Sequence, residues 1–312
     1  MKKILFAVLA IVFPVIVMAQ GCPVPTSVTA TVTFKRNNIS PALNGIFTID
    51  AGGTTVKFSK GNLQYKPSMD IWQFAAHQYD IIGADNASIS SSYDGWIDLF
   101  GWATAGNSAS GTHYMPWDAT STDDYYGNTI APEGGDNLDA ASDWGSRIGS
   151  GWRTLTSAEW TYLLSTRAGG TIAVGTNARW APARILTDGS GVEGIDYNIC
   201  GIILIPDGYE ELAAPTGVTW HAASINGASN ISFGTTCTTD GWTTLEDAGC
   251  IFLPCAGQRN GTTVSNVATY AYYWSATSNN VDNSIAVNFP SWNIVFNFAR
   301  HLGYSVRLVQ VQ

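Results

Sequence analysis

Charged residues are scarce in this sequence. Lys and Arg number 15 and Asp and Glu 24 among 312 residues, so 12% of the chain is charged and its formal net charge is −9. Soluble domains typically contain about 25% charged residues. Proteins that bind nucleic acid need clustered Lys and Arg to neutralise phosphates. The shortage of basic residues therefore argues against a nucleic-acid partner.

Long apolar runs are also missing beyond the first residues. The apolar run over residues 4–17 follows two lysines and is shorter than the about 20 residues that a membrane-spanning helix needs. This pattern predicts a secretory signal peptide over residues 1–19, cleaved after Ala19. A lipoprotein is the alternative, with Cys22 as the lipidated residue that tethers the chain to the outer surface. Either way we expect export to the cell surface or the extracellular space.

Few residues suit metal binding or redox chemistry. The spacing of the five cysteines fits no zinc pattern, and the four histidines are isolated. Export permits disulfides, but the sequence does not show their pairing, and small buried thiols are the alternative. No cofactor or metal site is therefore expected, and bound calcium is left open as the alternative. The cysteines are Cys22, Cys200, Cys237, Cys250 and Cys255, and the histidines are His77, His113, His221 and His301.

Catalytic motifs are absent as well. The chain has no Gly-x-Ser-x-Gly elbow and no His-Glu-x-x-His helix, and its scattered acids suggest no catalytic carboxylate pair. Residues 189–194 match the letters of the dinucleotide fingerprint Gly-x-Gly-x-x-Gly. That motif requires a helix after the first glycines, whereas a β-type run follows here. A hairpin turn is the better interpretation, and we do not expect an enzyme.

One helix is clearly marked in the sequence. Thr156 and Glu159 form a capping box, in which each side chain satisfies the backbone amide of the other residue. Trp160 and Leu163 then recur at helical spacing, and Arg167 with the glycines after it indicates the end of the helix.

Most other segments have a β pattern. Residues 20–44 are interpreted as a linker that contains a strand over 28–34, and residues 84–151 as a long loop whose aromatic side chains pack on the core. Two continuous apolar runs, 201–206 and 250–254, are expected to be central buried strands. Further strands are expected at 55–58 and 61–65, as a pair, and at 72–74, 183–186, 273–275, 284–289 and 304–309.

A family resemblance begins with residues 151–160, Gly-Trp-Arg-Thr-Leu-Thr-Ser-Ala-Glu-Trp. This segment resembles the Gly-aromatic-Arg-Leu-Pro-Thr-x-x-Glu-Trp signature of formylglycine-generating-enzyme-like domains. The related bacterial major-paralogous-domain (FISUMP) proteins share that signature. The sequence departs from it at Thr154 and Leu155, which stand where Leu-Pro is usual.

The C-terminal region carries a second part of the resemblance. Tyr-Trp-Ser-Ala-Thr at 273–277, Arg300, and Gly-Tyr-Ser-Val-Arg-Leu-Val at 303–309 are similar to the family's C-terminal pattern. The order and separation of the motifs fit, so the resemblance covers residues 45–312. It implies an α+β, C-type-lectin-like fold with a small twisted sheet, few helices and much irregular loop.

The motif residues have structural interpretations. Glu159 is expected to cap the helix, Trp152 and Trp160 to pack in the core, and Arg153 and Arg307 to form buried ion pairs. Formylglycine-generating enzymes bind copper through two cysteines of the C-terminal segment. No cysteine follows residue 274 in this chain, so the resemblance does not carry the enzymatic activity over.

Residues 288–303 combine apolar, aromatic and polar groups without a clean period. Exposed apolar clusters often mark binding surfaces, and mixed aromatic and polar groups are typical of paratopes. The segment also resembles the variable region of diversity-generating-retroelement target proteins. Trp292 does not arise from an Asn codon by substitution at adenines, so a diversified and a fixed surface both remain open. The predicted ligand-binding residues are Pro290, Trp292, Asn293, Val295, Asn297, Phe298, Ala299, His301 and Leu302.

Three functions follow as hypotheses. The first is a surface receptor or adhesin that binds a protein or glycan through the C-terminal residues. The second is a glycan-active enzyme that uses acids of the loop over 84–151. The third is a structural subunit of a surface appendage, in which residues 28–34 pair with a sheet edge of a neighbouring subunit.

Overall fold

The computed structural model describes residues 42–88, 90–106, 116, 134–187, 198–227, 234–289 and 296–312. They belong to one compact unit, Ser40–Gln312. The signal peptide over 1–19, Cys22, the strand over 28–34 and the turn over 189–194 lie outside the described residues. Within the described residues, no helix has the length and apolar character to cross a membrane.

The described residues form an α+β structure with two α-helices and many short strands. The helices are α1 (Ser157–Thr161) and α2 (Thr239–Asp247). The first nine strands are β1 (Phe47–Thr48), β2 (Thr55–Phe58), β3 (Leu63–Lys66), β4 (Ile71–Phe74), β5 (Trp152–Thr154), β6 (Gly170–Ile172), β7 (Gly175–Ala178), β8 (Trp180–Leu186) and β9 (Asn198–Leu204). The others are β10 (Val218–Thr219), β11 (Thr235–Thr238), β12 (Ile251–Pro254), β13 (Gln258–Asn260), β14 (Thr263–Ser265), β15 (Ala271–Ser278), β16 (Asn283–Phe289), β17 (Phe296–Ala299) and β18 (Leu308–Val311).

The capping box predicted for α1 is confirmed. Thr156 Oγ1 accepts a hydrogen bond from the Glu159 amide at 3.2 Å, and the Glu159 carboxylate accepts one from the Thr156 amide at 2.8 Å. A π-helical turn, Tyr162–Thr166, continues α1 and ends at Arg167. The polar cap satisfies amides that have no partner within a helix, so this boundary follows from local chemistry.

Sequence reasoning missed α2, although its signals are present. The Thr238 side chain caps it by accepting from the Gly241 amide at 3.0 Å. Trp242 and Leu245 are three residues apart and both buried, and Gly249 follows the helix with a φ of +96°. A helix that ends before a left-handed glycine is a common pattern. The segment is short and rich in threonine, a residue with low helix propensity, so the sequence did not indicate a helix here.

A five-stranded mixed sheet has the order β10-β11-β8-β9-β12, with β11 and β8 parallel. Along β9, Ile202 and Leu204 face one hydrophobic cluster, whereas Ile203 faces another. Burial on both faces explains why this strand is continuously apolar in sequence. The prediction of a central strand is confirmed for β9. It is wrong for β12, which is buried but pairs only with β9 among the described strands.

A four-stranded sheet, β1-β2-β18-β5, joins distant parts of the chain. The predicted pairing of residues 55–58 with 61–65 is wrong, because β2 pairs with β1 and β18 while β3 forms a hairpin with β4. The predicted strand over 304–309 begins only at Leu308, since Tyr304 and Ser305 make isolated bridges to Phe100 and Tyr273. Sequence periodicity indicates which residues of a strand point to the same face of the sheet, but it does not indicate which other strand pairs with it.

The described part of the long loop packs as predicted. Phe100, Trp102 and Trp144 are fully buried in one hydrophobic cluster with residues of β3 and β15. Trp102 Nε1 donates to the Ser275 carbonyl at 2.8 Å. The indole rings bury large apolar areas, and the Trp102 N–H group also keeps a hydrogen-bond acceptor, so this irregular backbone is held without a regular ladder.

Asp98 supplies a pH-dependent term in the stability of this loop. It is fully buried, and burial raises its pKa to about 6 although its carboxylate accepts from Asn86 Nδ2 at 2.7 Å and the Ile82 amide at 3.1 Å. Between the unfolded pKa of 3.8 and about 6, only the unfolded state ionises. The protonated Asp98 side chain therefore makes its full contribution to the stability of the folded state below about pH 4, and this contribution is lost as the pH rises to about 6.

In the original protein, we expect the titration of Asp98 to lower the free energy of unfolding by about 3 kcal/mol between about pH 4 and pH 6. In Asp98→Asn this decrease should be absent. The amide keeps the shape of the neutral carboxyl but does not titrate. Urea unfolding of both proteins at a series of pH values measures the difference between the two curves. Parallel curves across this range would contradict the assignment of the effect to Asp98.

Candidate functional site

Five of the nine predicted ligand-binding residues lie in the described structure, on β17 and in the turn that follows it. We call this set the C-terminal surface: Asn297, Phe298, Ala299, His301 and Leu302. Four other predicted residues lie outside the described part of the chain: Pro290, Trp292, Asn293 and Val295.

The C-terminal surface is the outer strand of the sheet β15-β16-β17 and its continuation. Asn297 is exposed, whereas Phe298, Ala299, His301 and Leu302 are half-buried. β15, at the opposite edge, is buried along its whole length. The sheet therefore joins a rigid, buried strand to a strand that reaches solvent.

Phe298 is less exposed than the sequence reasoning predicted. Its ring makes edge-to-face contacts with Tyr272, at 5.8 Å between centroids, and with Tyr304, at 5.1 Å. Leu302 also packs against this cluster. Edge-to-face aromatic pairs stabilise by about 0.5–1.5 kcal/mol beyond area burial, so Phe298 anchors the hairpin while part of its ring stays accessible.

An aromatic layer lies beneath the surface. It consists of Tyr272, Trp274 and Tyr304, with Tyr304 stacked on Tyr272 at 4.7 Å and against Trp274 at 4.6 Å. Trp274 Nε1 donates to the Phe100 carbonyl at 2.6 Å. Tyr270, which is half-buried, stacks on Tyr272 at 5.9 Å and extends the layer towards solvent.

The turn after β17 is fixed by Arg300 and Gly303. Arg300 is 2% exposed and its guanidinium lies 4.4 Å from the centre of the Trp102 ring, a cation–π geometry. A Cβ on Gly303 would lie 2.9 Å from Arg259 Cβ and 3.1 Å from the Leu99 carbonyl oxygen. These contacts explain the glycine of the C-terminal motif and hold the turn close to the core.

The other family-like motif lines a cleft of about 780 Å³. One wall is formed by residues 137–151 and the other by β5 and the start of α1, with Ala276 and Val311 completing it. Its charged residues are Asp139, Asp143, Arg153 and Glu159. Sequence reasoning did not predict this cleft, because no local pattern shows that residues 137–151 fold back beside β5 or that Ala276 and Val311 complete the lining.

Asp143 connects the two walls of the cleft. Its carboxylate accepts from the amides of Gly145, at 2.8 Å, and Thr154, at 3.0 Å, and from Thr154 Oγ1 at 3.1 Å. Burial raises the pKa of Asp143, although these hydrogen bonds and the nearby Arg153 charge act in the opposite direction. The hydrogen bonds give the carboxylate a structural role.

Arg153 forms a two-pronged ion pair with Glu159, but the prediction that this pair is buried is wrong. Nη2 lies 2.6 Å from Oε1 and Nη1 lies 2.7 Å from Oε2, and Glu159 also caps α1. The ion pair is partly exposed at the cleft. Bidentate arginine–carboxylate pairs fix both side chains, so these residues shape the cleft wall.

The ion pair predicted for Arg307 is wrong in the described part of the chain. Arg307 is fully buried and donates to amide oxygens, Gln78 Oε1 at 2.5 Å and Asn62 Oδ1 at 3.3 Å. Gln78 in turn donates to Glu246 at 2.9 Å, so an amide separates the two charges. Burial lowers the pKa of Arg307 to about 10.

The four described cysteines are buried free thiols: Cys200, Cys237, Cys250 and Cys255. Among the residues that the structure describes, no three His, Cys, Asp or Glu side chains are grouped as a metal site requires. Several loop acids within the described ranges have structural partners. Asp94 contacts Lys66 and Ser68, for example, and Asp139 accepts from the amides of its own turn.

Comparison of the chain with protein-family models, with curated proteins and with solved structures finds no significant match.

Proposed function

We propose that this chain is an exported, cell-surface ligand-binding domain without catalytic activity, and that it binds a protein or glycan through the C-terminal surface. The observation that carries the proposal is the placement of partly accessible residues of β17 on the buried aromatic layer. A binding surface on a rigid support loses little conformational entropy when a ligand binds.

Support for a C-type-lectin-like fold comes from the motifs and their surroundings. The helix with its capping box follows β5 directly, and β18 lies between β2 and β5. The first and last described strands thus belong to one sheet, with few helices and long irregular segments around it. The C-terminal motif residues Gly303 and Arg307 are enclosed in the core.

The character of the surface favours an uncharged ligand face. Its residues combine an aromatic ring, an imidazole, an amide and small apolar groups, without Lys, Arg, Asp or Glu. Tyr270 and the Tyr272 hydroxyl, which Asn266 Nδ2 contacts at 3.4 Å, lie on the same aromatic cluster. Aromatic and amide groups of this kind bind by stacking and adaptable hydrogen bonding.

A binding function is favoured over glycan hydrolysis by the state of the cleft carboxylates. Glycosidases need two carboxyl groups free to exchange protons or to attack. Glu159 is held by Arg153, and Asp143 is held by three hydrogen bonds. Glu159 thus fixes one wall of the cleft, and Asp143 joins the two walls. The third carboxylate, Asp139, accepts from the amides of its own turn.

The double substitution Asn297→Ala with His301→Ala tests the surface. We expect binding to at least one component of a printed glycan array or of an array of surface proteins, and a loss of at least tenfold in affinity in the double variant. The reason is that two polar contacts are removed while Phe298 still anchors the hairpin. The thermal unfolding midpoint of the double variant should stay within a few degrees of that of the original protein.

The matched control is Ser150→Trp, which fills the cleft from an exposed position. Retained binding in this variant together with loss in the double variant supports the C-terminal surface. The reverse result would assign the ligand to the cleft and refute the proposal.

A separate experiment distinguishes a diversified surface from a fixed one. Codons 290–302 are sequenced across a cell population, and a diversified surface predicts variation confined to these codons.

A further inference from the structure

Cys200, on β9, lies directly opposite Cys255, the first residue after β12. β12 pairs with β9 in a register that places Pro254 opposite Gly201, and the Cys255 amide donates to the Cys200 carbonyl at 2.8 Å. The pairing therefore continues by one residue beyond the end of β12. Residues opposite each other in an antiparallel pair direct their side chains to the same face.

The burial pattern confirms that the two thiols share a face. Alternate residues of both strands belong to one hydrophobic cluster: Cys200, Ile202, Leu204, Ile251, Leu253 and Cys255. The intervening residues Ile203 and Phe252 belong to the cluster on the opposite face, as do Cys237 and Cys250. Position on the sheet thus divides the four thiols into two groups.

The distance between Cys200 and Cys255 expected from their pairing allows a disulfide bond with slight strain. Opposite residues in an antiparallel pair have Cα atoms about 4.5–5.5 Å apart, within the range of about 4.4–6.8 Å found for disulfides. At a hydrogen-bonded position the Cβ atoms are farther apart than the about 3.8 Å that a disulfide prefers. Cys255 lies just past the strand, where the Ala256 amide turns back to the Pro254 carbonyl at 2.9 Å, so a small backbone adjustment closes the gap.

Access to the pair is asymmetric. Cys200 is 7% exposed, while Cys255 is fully buried. Burial raises the pKa of the Cys200 thiol, and the Arg184 guanidinium beside it acts in the opposite direction by favouring the thiolate. Burial raises the pKa of Cys255 well above its ordinary value. An oxidant therefore meets Cys200 first.

We propose that Cys200 and Cys255 form a reversible cross-strand disulfide that joins β12 to β9. The Cys200 thiolate attacks one sulfur of an oxidant of the disulfide class, such as oxidised glutathione, and releases the other sulfur as a thiol. Cys255 then loses its proton and attacks the Cys200 sulfur of the mixed disulfide, releasing the second thiol. Two protein thiols are oxidised, and one external disulfide is reduced to two thiols.

The bond matters most for β12, whose only strand partner among the described residues is β9. Strain makes such a disulfide easier to reduce than an ordinary structural one. The pair therefore senses the redox conditions around the protein. In oxidising surroundings it covalently secures this edge of the five-stranded sheet.

The test uses the folded full-length chain, equilibrated in glutathione buffers of increasing oxidised fraction. The protein is then denatured in the presence of iodoacetamide and digested without reductant, and the peptides are analysed by mass spectrometry. We expect the loss of two alkylatable thiols, a linked peptide that contains Cys200 and Cys255, and full recovery of both thiols with dithiothreitol. Retention of all thiols, or a link between other cysteines, would overturn the proposal.

Two variants check the assignment. Cys237→Ala removes a thiol on the opposite face of the sheet and should leave the linked peptide unchanged. Cys255→Ser should prevent the link and leave Cys200 bound to glutathione as a mixed disulfide. Absence of that adduct from folded Cys255→Ser would refute entry through Cys200. If this variant does not fold, the linked peptide of the original protein decides the question alone.

Discussion

Trp274→Ala is expected to lower the free energy of unfolding by about 3–5 kcal/mol, the range for replacing a buried tryptophan by alanine. The Trp274 indole is fully buried, packs against Tyr304 in the aromatic layer, and donates to the Phe100 carbonyl. The substitution leaves a large cavity and removes one of the two hydrogen bonds to the buried Phe100 carbonyl, which keeps the Tyr304 amide as its other donor. Urea unfolding monitored by far-ultraviolet circular dichroism measures the loss.

Trp72→Ala provides the matched control for this prediction. Trp72 stacks on Tyr65 and Phe100 in the same region but is only half-buried. Its removal takes less apolar surface from the core, so we expect a clearly smaller loss of stability. Equal losses in the two variants would show that the aromatic layer does not depend on Trp274 in particular.

Gly145→Ala is the second substitution with a large expected effect, a loss of about 3 kcal/mol or more, at the upper end for over-packing. A Cβ at this position would lie 2.0 Å from the Trp152 carbonyl oxygen and 2.4 Å from its carbon. Backbone atoms do not move aside as a flexible side chain does. The substitution therefore pushes residues 143–149 away from β5 and disrupts the hydrogen bonds of Asp143.

The control for Gly145 is Gly175→Ala, at the start of β7. A Cβ there would meet no atom within 4 Å, and its φ is not in the left-handed region. We expect a change within about 0.5 kcal/mol, as for ordinary surface substitutions. Thermal unfolding of both variants measures the difference. A similar loss in both would mean that the close approach of Gly145 to Trp152 is not what destabilises the protein.

Local chemistry explains the elements that sequence reasoning predicted well. The capping box of Thr156 and Glu159 needs only residues three positions apart, and α1 begins where it predicts. The apolar run of β9 reflects burial on two faces, and β16, near the C-terminus, largely alternates between buried and half-buried residues. These features depend on neighbours in the chain and can therefore be read from it.

Partners distant in sequence were not predictable in the same way. β2 pairs with β18, and Arg307 meets Gln78 and Asn62 from the other end of the chain. The local sequence does not show which distant segment a strand pairs with. An apolar strand can lie at the edge or in the centre of a sheet when both faces of the sheet are buried. The predicted pairing partner of β3 and the predicted central place of β12 in its sheet were wrong for this reason.

The candidate site divides along the same line. By itself the sequence determined one well-capped helix, two buried apolar strands and a mixed aromatic segment near the C-terminus, because these depend on composition and short spacings. Only the tertiary structure decided that Phe298 rests on Tyr272 and Tyr304, that the cleft forms beside β5, and that Cys200 faces Cys255. Each of these arrangements depends on contacts between separate elements of the fold, and packing of the whole core selects them.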